Sequence, residues 1–167
     1  MVILGIDPGF AIIGYGAIDT VRGKHKMLTY GAITTRAHTE MPLRLSEIYH
    51  DLCKLIDMLR PDAVAIEELF FNTNITTGIQ VAQARGVILL ACAEHGLPIY
   101  EYTPLQVKQA VVGYGRAEKH QVMEMTKSML GLEKIPRPDD AADALALALC
   151  HAANAGSLLS RIKEAKI

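Results

Sequence analysis

Val2-Ile3-Leu4-Gly5-Ile6-Asp7-Pro8-Gly9 opens the chain with an apolar run, one carboxylate and a Pro-Gly turn. With no polar side chain from Val2 to Ile6, the run is predicted to be a strand buried on both faces, under helices. An acid at the end of such a strand is held in a rigid, partly desolvated place. It either caps the turn that follows or binds something cationic.

Two more strands follow, Ile12 to Asp19 and Lys26 to Ile33, separated by the polar turn Arg22-Gly23-Lys24. Short turns between them predict an antiparallel meander. Pro42 starts a helix, where proline is tolerated, and Leu45, Ile48, Leu52, Leu55 and Leu59 recur at spacings of three and four. Ala63 to Ile66 is a second short apolar run, ending in Glu67-Glu68, and Pro98 to Tyr102 is a third. Each follows a helix and is expected to return parallel to an earlier strand. Between them lie a polar loop, Asn72 to Thr77, and a helical pattern from Ile79 to His95 stopped by Gly96. Gly78, Ala82, Ala84 and Gly86 make the first half of that helix small enough to pack closely, on its own sheet or on another subunit.

Thr103-Pro104 reads as an N-cap with proline at the first helical position. A second helix runs from Glu118 to Leu130, and a final one from about Asp139 to Ala155 after the break Pro136-Arg137-Pro138. The expected fold is α/β: a five-stranded mixed sheet, three meander strands plus two parallel strands, flanked by helices. Residues 1–157 are expected to form one domain and 158–167 a loosely held tail.

Bulk properties narrow the classes. The chain has 167 residues, half of them apolar, enough for one ordinary core. No stretch approaches the roughly 20 apolar residues of a membrane span; Ala141 to Ala153 is short and carries Asp143 and His151. The N-terminus goes straight into a strand, without the basic start of a signal peptide. Cys53, Cys92 and Cys150 are odd in number, far apart and set in apolar helical patterns, which predicts buried free thiols and a cytoplasmic protein. A net charge of −1 and a pI near 6.6 argue against nonspecific coating of nucleic acid, for which a domain pI above about 9 is usual.

Four carboxylates stand in special positions: Asp7, Glu67, Asp140 and Asp143. Asp7 alone would pass for a turn residue, Glu67 for a solvated strand exit, and Asp140 for a first-turn acid favoured by the helix dipole. Asp143 is harder to dismiss, because Ala141-Ala142-Asp143-Ala144-Leu145-Ala146-Leu147 surrounds it with residues that want to be inside. Asp140 and Asp143 share a helix face, and Asp7 and Glu67 would share a sheet edge if their strands are parallel neighbours. Four converging acids repel unless oxygen-seeking divalent cations, Mg²⁺ or Mn²⁺, join them. Two such ions about 3.5–4 Å apart are the usual arrangement for phosphodiester hydrolysis.

Gly5-Ile6-Asp7-Pro8-Gly9 with Gly14-Tyr15-Gly16, Ile66-Glu67 with Phe70, Gln83-Ala84-Arg85-Gly86, Gln106-Val107-Lys108-Gln109 and Asp140-Ala141-Ala142-Asp143-Ala144-Leu145 stand in an order that resembles the RuvC family. These are bacterial Holliday junction resolvases with a ribonuclease H-like fold, and the resemblance runs from Ile3 to about His151. It implies a Mg²⁺-dependent homodimer that nicks opposing strands of a four-way junction symmetrically, leaving ligatable 5′-phosphates and 3′-hydroxyls. Asp7, Glu67, Asp140 and Asp143 match the family's catalytic, metal-binding acids, two ions per site; Asp7, on the most rigid strand, is the choice for the ligand shared between them. Asp139 is an extra acid beside Asp140, and only the Asp-Ala-Ala-Asp spacing selects Asp140. The family also implies a branch-migration motor, RuvA and RuvB, as partner.

From Thr103 to Arg137, six Lys and Arg face three Glu, a surplus of three positive charges where phosphate contacts are expected. Lys108, Arg116 and Lys119 are the candidates, with Arg85 beside them; Lys108 and Lys119 also match family positions. Phe70 and Phe71 are either core residues or stack on bases of a distorted junction strand, and the family favours Phe70. The helix from Gly78 to Ala91 is a candidate two-fold interface. Two rival readings remain weaker. An actin-like ATPase or sugar kinase needs a second similar half, which this length lacks, and a non-catalytic junction binder has no use for four acids.

Overall fold

The computed structural model describes residues 1–69 and 75–164. The apolar opening forms β1 (Val2–Asp7), followed by β2 (Ile12–Val21), β3 (Lys24–Thr34) and α1 (Met41–Leu59). Next come β4 (Ala63–Glu67), α2 (Ile75–Glu94), β5 (Ile99–Tyr102), α3 (Pro104–Val112), α4 (Lys119–Met129) and α5 (Asp139–Glu164). The strands make one sheet of order β3-β2-β1-β4-β5, antiparallel from β3 to β1 and parallel from β1 to β5. The expected meander and the two parallel returns are both there.

Local chemistry explains the element ends. Arg22 and Gly23 both take positive φ, 50° and 76°, the two-residue hairpin turn whose twist suits its strands. That tight turn lets β2 and β3 run further than expected, to Val21 and from Lys24. Helix α1 carries Pro42 in its first turn and stops where Arg60 turns left-handed and donates its N–H to the Ile56 carbonyl. Helix α3 has the expected Thr103 cap as a reciprocal box: Gln106 N–H to Thr103 Oγ1, and Thr103 N–H to Gln106 Oε1. Helix α2 starts earlier than expected, at Ile75, and α5 continues past the expected end near Ala155 to Glu164. The Gly156 backbone stays helical, so that glycine is no stop.

The strands' two-residue alternation sorts the core into two layers. Leu4, Ile6, Ile13, Val64 and Ile66 pack under α1 and α2 with Ile48, Leu52 and Ile88. Ile3, Ile18 and Ala65 pack under α3–α5 with Val107, Val122, Leu145 and Leu149. Gly5, Gly14 and Gly16 fall on this second face, and α5 lies directly on them. A Cβ at Gly5 would stand 1.9 Å from the Ala144 carbonyl oxygen, and one at Gly16 would stand 2.6 Å from Leu145 Cγ. Glycine here makes room for a helix backbone, not for a turn.

Gly5→Ala is expected to destabilise the protein by at least the roughly 1–3 kcal/mol typical of overpacking. Gly156→Ala, in α5 with nothing within 4 Å of the added carbon, is expected to gain about 0.5–1 kcal/mol of helix stability. Urea unfolding of both variants checks the contrast; equal effects would show that α5 does not depend on that trough.

Candidate active site

Asp7 is the last residue of β1 and Glu67 the last of β4. The parallel register pairs Ile6 with Ile66, so the two acids leave the sheet side by side at its carboxyl edge. By the same alternation that turns Ile3, Gly5 and Ala65 toward α5, both acids face α5. Its first two turns bring Asp140 and Asp143, and it is seated by Gly14, where a Cβ would stand 2.1 Å from the Asp140 carbonyl oxygen.

Asp7, Glu67 and Asp143 line one cavity of about 170 Å³ together with Lys108 of α3 and Lys119 of α4. Its apolar walls include Val107, Val122, Ala146 and Leu147, which sequence reasoning assigned no part in the site. Burial first, then the charges of Glu67, Asp143 and Asp140, push the Asp7 carboxyl up to about 7, against the opposing pull of Lys119. Glu67 is also raised, by burial and then by Asp143. Lys119 donates to Asp143 Oδ2 at 2.8 Å. Burial works against its charge, yet that bond and the charges of Asp139 and Asp7 hold its ammonium above the ordinary value.

Asp140 does not line the cavity, but its charge reaches Asp7. Asp139 instead accepts a hydrogen bond from Arg137 Nη1, with Lys119 Nζ 4.0 Å from its other oxygen. The two neighbouring acids thus differ in partner: Asp139 is engaged by Arg137, and Asp140 acts on Asp7 through its charge.

The donor set fits a hard divalent cation. All four groups are carboxylates, the oxygen ligands of Mg²⁺ or Mn²⁺, without the sulfur or imidazole that zinc prefers. Burial, and after it mutual repulsion, has raised two of them, and a dication relieves both. As placed, no three His, Cys, Asp or Glu side chains among the described residues stand as a ready chelating group. Lys119 is the cation that offsets them.

Arg116 is exposed in the turn between α3 and α4, outside the cavity. Arg85 departs from expectation. Its side chain is only 12 % exposed, with Nη2 2.7 Å from Glu101 Oε2 of β5 and Nε donating to the Glu67 carbonyl at 3.3 Å. A guanidinium turned inward and paired this way does not present itself to a DNA phosphate. Glu101 itself went unnoticed; an acid inside the short strand Ile99-Tyr100-Glu101-Tyr102 was the available signal. Phe70 and Phe71 lie outside the described residues.

The comparisons with known proteins agree with this geometry. The family model "Crossover junction endodeoxyribonuclease RuvC" matches residues 3–151. The RuvC endonuclease of Alkaliphilus metalliredigens is 62 % identical over 152 residues, covering 91 % of this chain and 93 % of that one. That of Desulfitobacterium hafniense is 57 % identical over 162 residues, covering 97 % and 98 %. Among solved structures, Thermus thermophilus RuvC in complex with Holliday junction substrate is 39 % identical with a TM-score of 0.88, covering 93 % of this chain and 94 % of that chain. On its strand register, its acid cluster and these matches, the chain belongs to the RuvC family of crossover junction endodeoxyribonucleases.

Proposed function

We propose that this protein resolves Holliday junctions in recombination and repair by Mg²⁺-dependent hydrolysis at Asp7, Glu67, Asp140 and Asp143. The observation that carries the reading is the side-by-side exit of Asp7 and Glu67 beneath the first turn of α5. When bound, a pair of Mg²⁺ ions would supply an activated water on one side of the scissile phosphorus and offset charge on the leaving 3′-oxygen on the other. The chain's part is to hold the ligands. Asp7 is more buried than Glu67 and is the one whose proton affinity three other acids raise, so it is our candidate for the ligand shared by both ions. Glu67, Asp140 and Asp143 complete the set. The apolar walls lower the polarity around these charges, which strengthens electrostatic contacts made there.

Lys108 and Lys119 share the cavity with the acids and are our candidates for contacts to phosphate, with Arg116 reaching flanking backbone. Lys108 and Arg116 form no ion pair among the described residues. Phe70 and Phe71 remain the candidates for base stacking. Cutting two strands together needs two sites, so we propose an isologous homodimer. Exposed Ile79 and Leu90, with Gly86 opening on free space between them, support α2 as its surface. RuvA and RuvB are the proposed motor partners. Buried free Cys92 and Cys150 support a cytoplasmic setting, and among the described residues no helix is long and apolar enough to cross a membrane.

A synthetic four-way junction, with a linear duplex of the same sequence as control, tests the reading. Paired ligatable nicks are expected in the junction alone, with Mg²⁺ and not with EDTA. Asp7→Asn should cut more than about 10³-fold slower, beyond the usual loss of one electrostatic contact, while still binding the junction. Binding without cutting by the native protein would overturn the catalytic assignment.

The raised Asp7 also sets a pH dependence. Between its ordinary value of 3.8 and about 7, folded Asp7 keeps a proton that the unfolded chain has released. Stability in EDTA should therefore fall as pH rises through that window. Thermal midpoints at pH 5 and pH 8 check this: the advantage of Asp7→Asn over native should grow toward pH 8, and Mg²⁺ should remove it.

Lys108→Ala and Arg116→Ala should each weaken junction binding and reduce the magnitude of its salt slope by about 1. Titrations over a range of salt concentrations read both, and unchanged slopes would remove these residues from the phosphate contacts.

A further inference from the structure

Arg85 lies on α2, away from the acid cluster's own elements, yet it touches the main chain of one of the acids. We infer that Arg85 is a positioning residue: it pins the end of β4, and with it Glu67, in the place that Asp7 requires. The inference rests on the metal-dependent reading above and adds a residue to it.

Three observations converge. The ladder between β1 and β4 runs from Ile3–Ala63 to Ile6–Ile66 and ends there, one residue short of Glu67. Just beyond that point Arg85 Nε donates to the Glu67 carbonyl. The guanidinium is in turn held by Glu101 of β5, 2.7 Å from Nη2; that nitrogen is fully buried and makes no well-aligned hydrogen bond, so the contact is ionic. Glu101 precedes Tyr102, which pairs with Glu67 and accepts the Glu68 N–H. Arg85 thus ties α2, the end of β4 and the end of β5 at one point. An arginine suits this place because its fork carries donors in two directions from one rigid plane, which a lysine's single ammonium lacks.

The placement matters for chemistry. Glu67 projects into the cavity beside Asp7 and raises its proton affinity, so the two carboxylates are within electrostatic reach. A misplacement of about 1 Å at a reacting centre can cost about 10²-fold in rate. Losing an outer partner of a metal ligand usually costs 10- to 100-fold in metal affinity or activity.

The test uses the full-length protein with Arg85→Gln, Arg85→Lys and Glu101→Gln. Mn²⁺ affinity is read by electron paramagnetic resonance without DNA, cleavage in single turnover on saturating junction, and junction affinity across salt. All three variants are expected to bind Mn²⁺ about 10-fold more weakly or worse and to cut about 10- to 100-fold more slowly, with partial recovery at high metal. Junction affinity and salt slope should stay within about twofold of native. The inference is overturned if Arg85→Gln flattens the salt slope by about 1 while Arg85→Lys preserves affinity, the behaviour of a phosphate contact. It is equally overturned if metal affinity and cleavage do not change. Glu101→Gln, a change of charge at a half-exposed side chain, keeps the test decisive should an Arg85 variant fail to fold. Native protein that cuts in EDTA would sink the metal reading itself; native metal dependence with indifferent variants would sink only this inference.

Discussion

The close approach of α5 to β1 and β2 is the contact on which the rest of the molecule depends. Three glycines on one sheet face, Gly5, Gly14 and Gly16, leave a trough without side chains, and the backbone of Asp140 to Leu145 fills it. At Gly5 and Gly14 carbonyl oxygens of the helix occupy the space a Cβ would need, and at Gly16 the Leu145 side chain does. That proximity turns Asp140 and Asp143, acids near the start of a long helix, into neighbours of acids that end two strands. The Ala-rich sequence of α5 follows from the same constraint, since Ala141, Ala144 and Ala148 are fully buried against the sheet. Larger residues would lift the helix and separate the two halves of the site.

Burying carboxylates and bringing them together costs stability, and both effects, burial first, hold protons more tightly than usual on Asp7 and Glu67. The cations around the cluster are arranged unequally. Lys119 faces the cavity and touches Asp143 directly, whereas Arg137 takes Asp139 and Arg85 engages only the main chain of Glu67. Among the described residues no arginine locks an acid of the cavity in a bidentate pair. Such a pair would satisfy the charge permanently, while a single lysine bond on a flexible stem can be exchanged. The acids therefore stay available to a cation from solution.

Much of this was legible in the residues. Apolar runs ending in Asp7 and Glu67, with a helix before the second, called for a parallel return to an earlier strand; that the two are neighbours sharing an edge was a condition the register then met. The three-residue spacing of Asp140 and Asp143 needed only a helix. Element ends were less legible: Gly156 does not interrupt α5, since local propensity is a weak prior against a long packed helix. The inward turn of Arg85 was invisible for a different reason. Its partners, Glu101 and a backbone carbonyl, become neighbours only when β5 takes its place beside β4, and nothing along the chain marks that arginine as different from Lys108 or Arg116. The apolar walls of the cavity were hidden in the same way, since Val107 and Val122 read simply as core positions of short helices.

The two faces of the sheet then divide the labour. Even-numbered residues of β1 and β4, Leu4, Ile6, Val64 and Ile66, bind α1 and α2 into a conventional apolar layer. Odd-numbered residues, Ile3 and then the small Gly5, Ala63 and Ala65, lie on the α5 face and finish in Asp7 and Glu67. Because the parity is common to both strands, slipping β4 by one residue against β1 would bury Glu67 in the apolar layer and turn Ile66 into the cavity. Register is thus protected by two penalties at once, an uncompensated buried charge on one face and lost apolar burial on the other. The packing that stabilises the fold and the geometry that gathers the acids are enforced by the same alternation, and one cannot shift without the other.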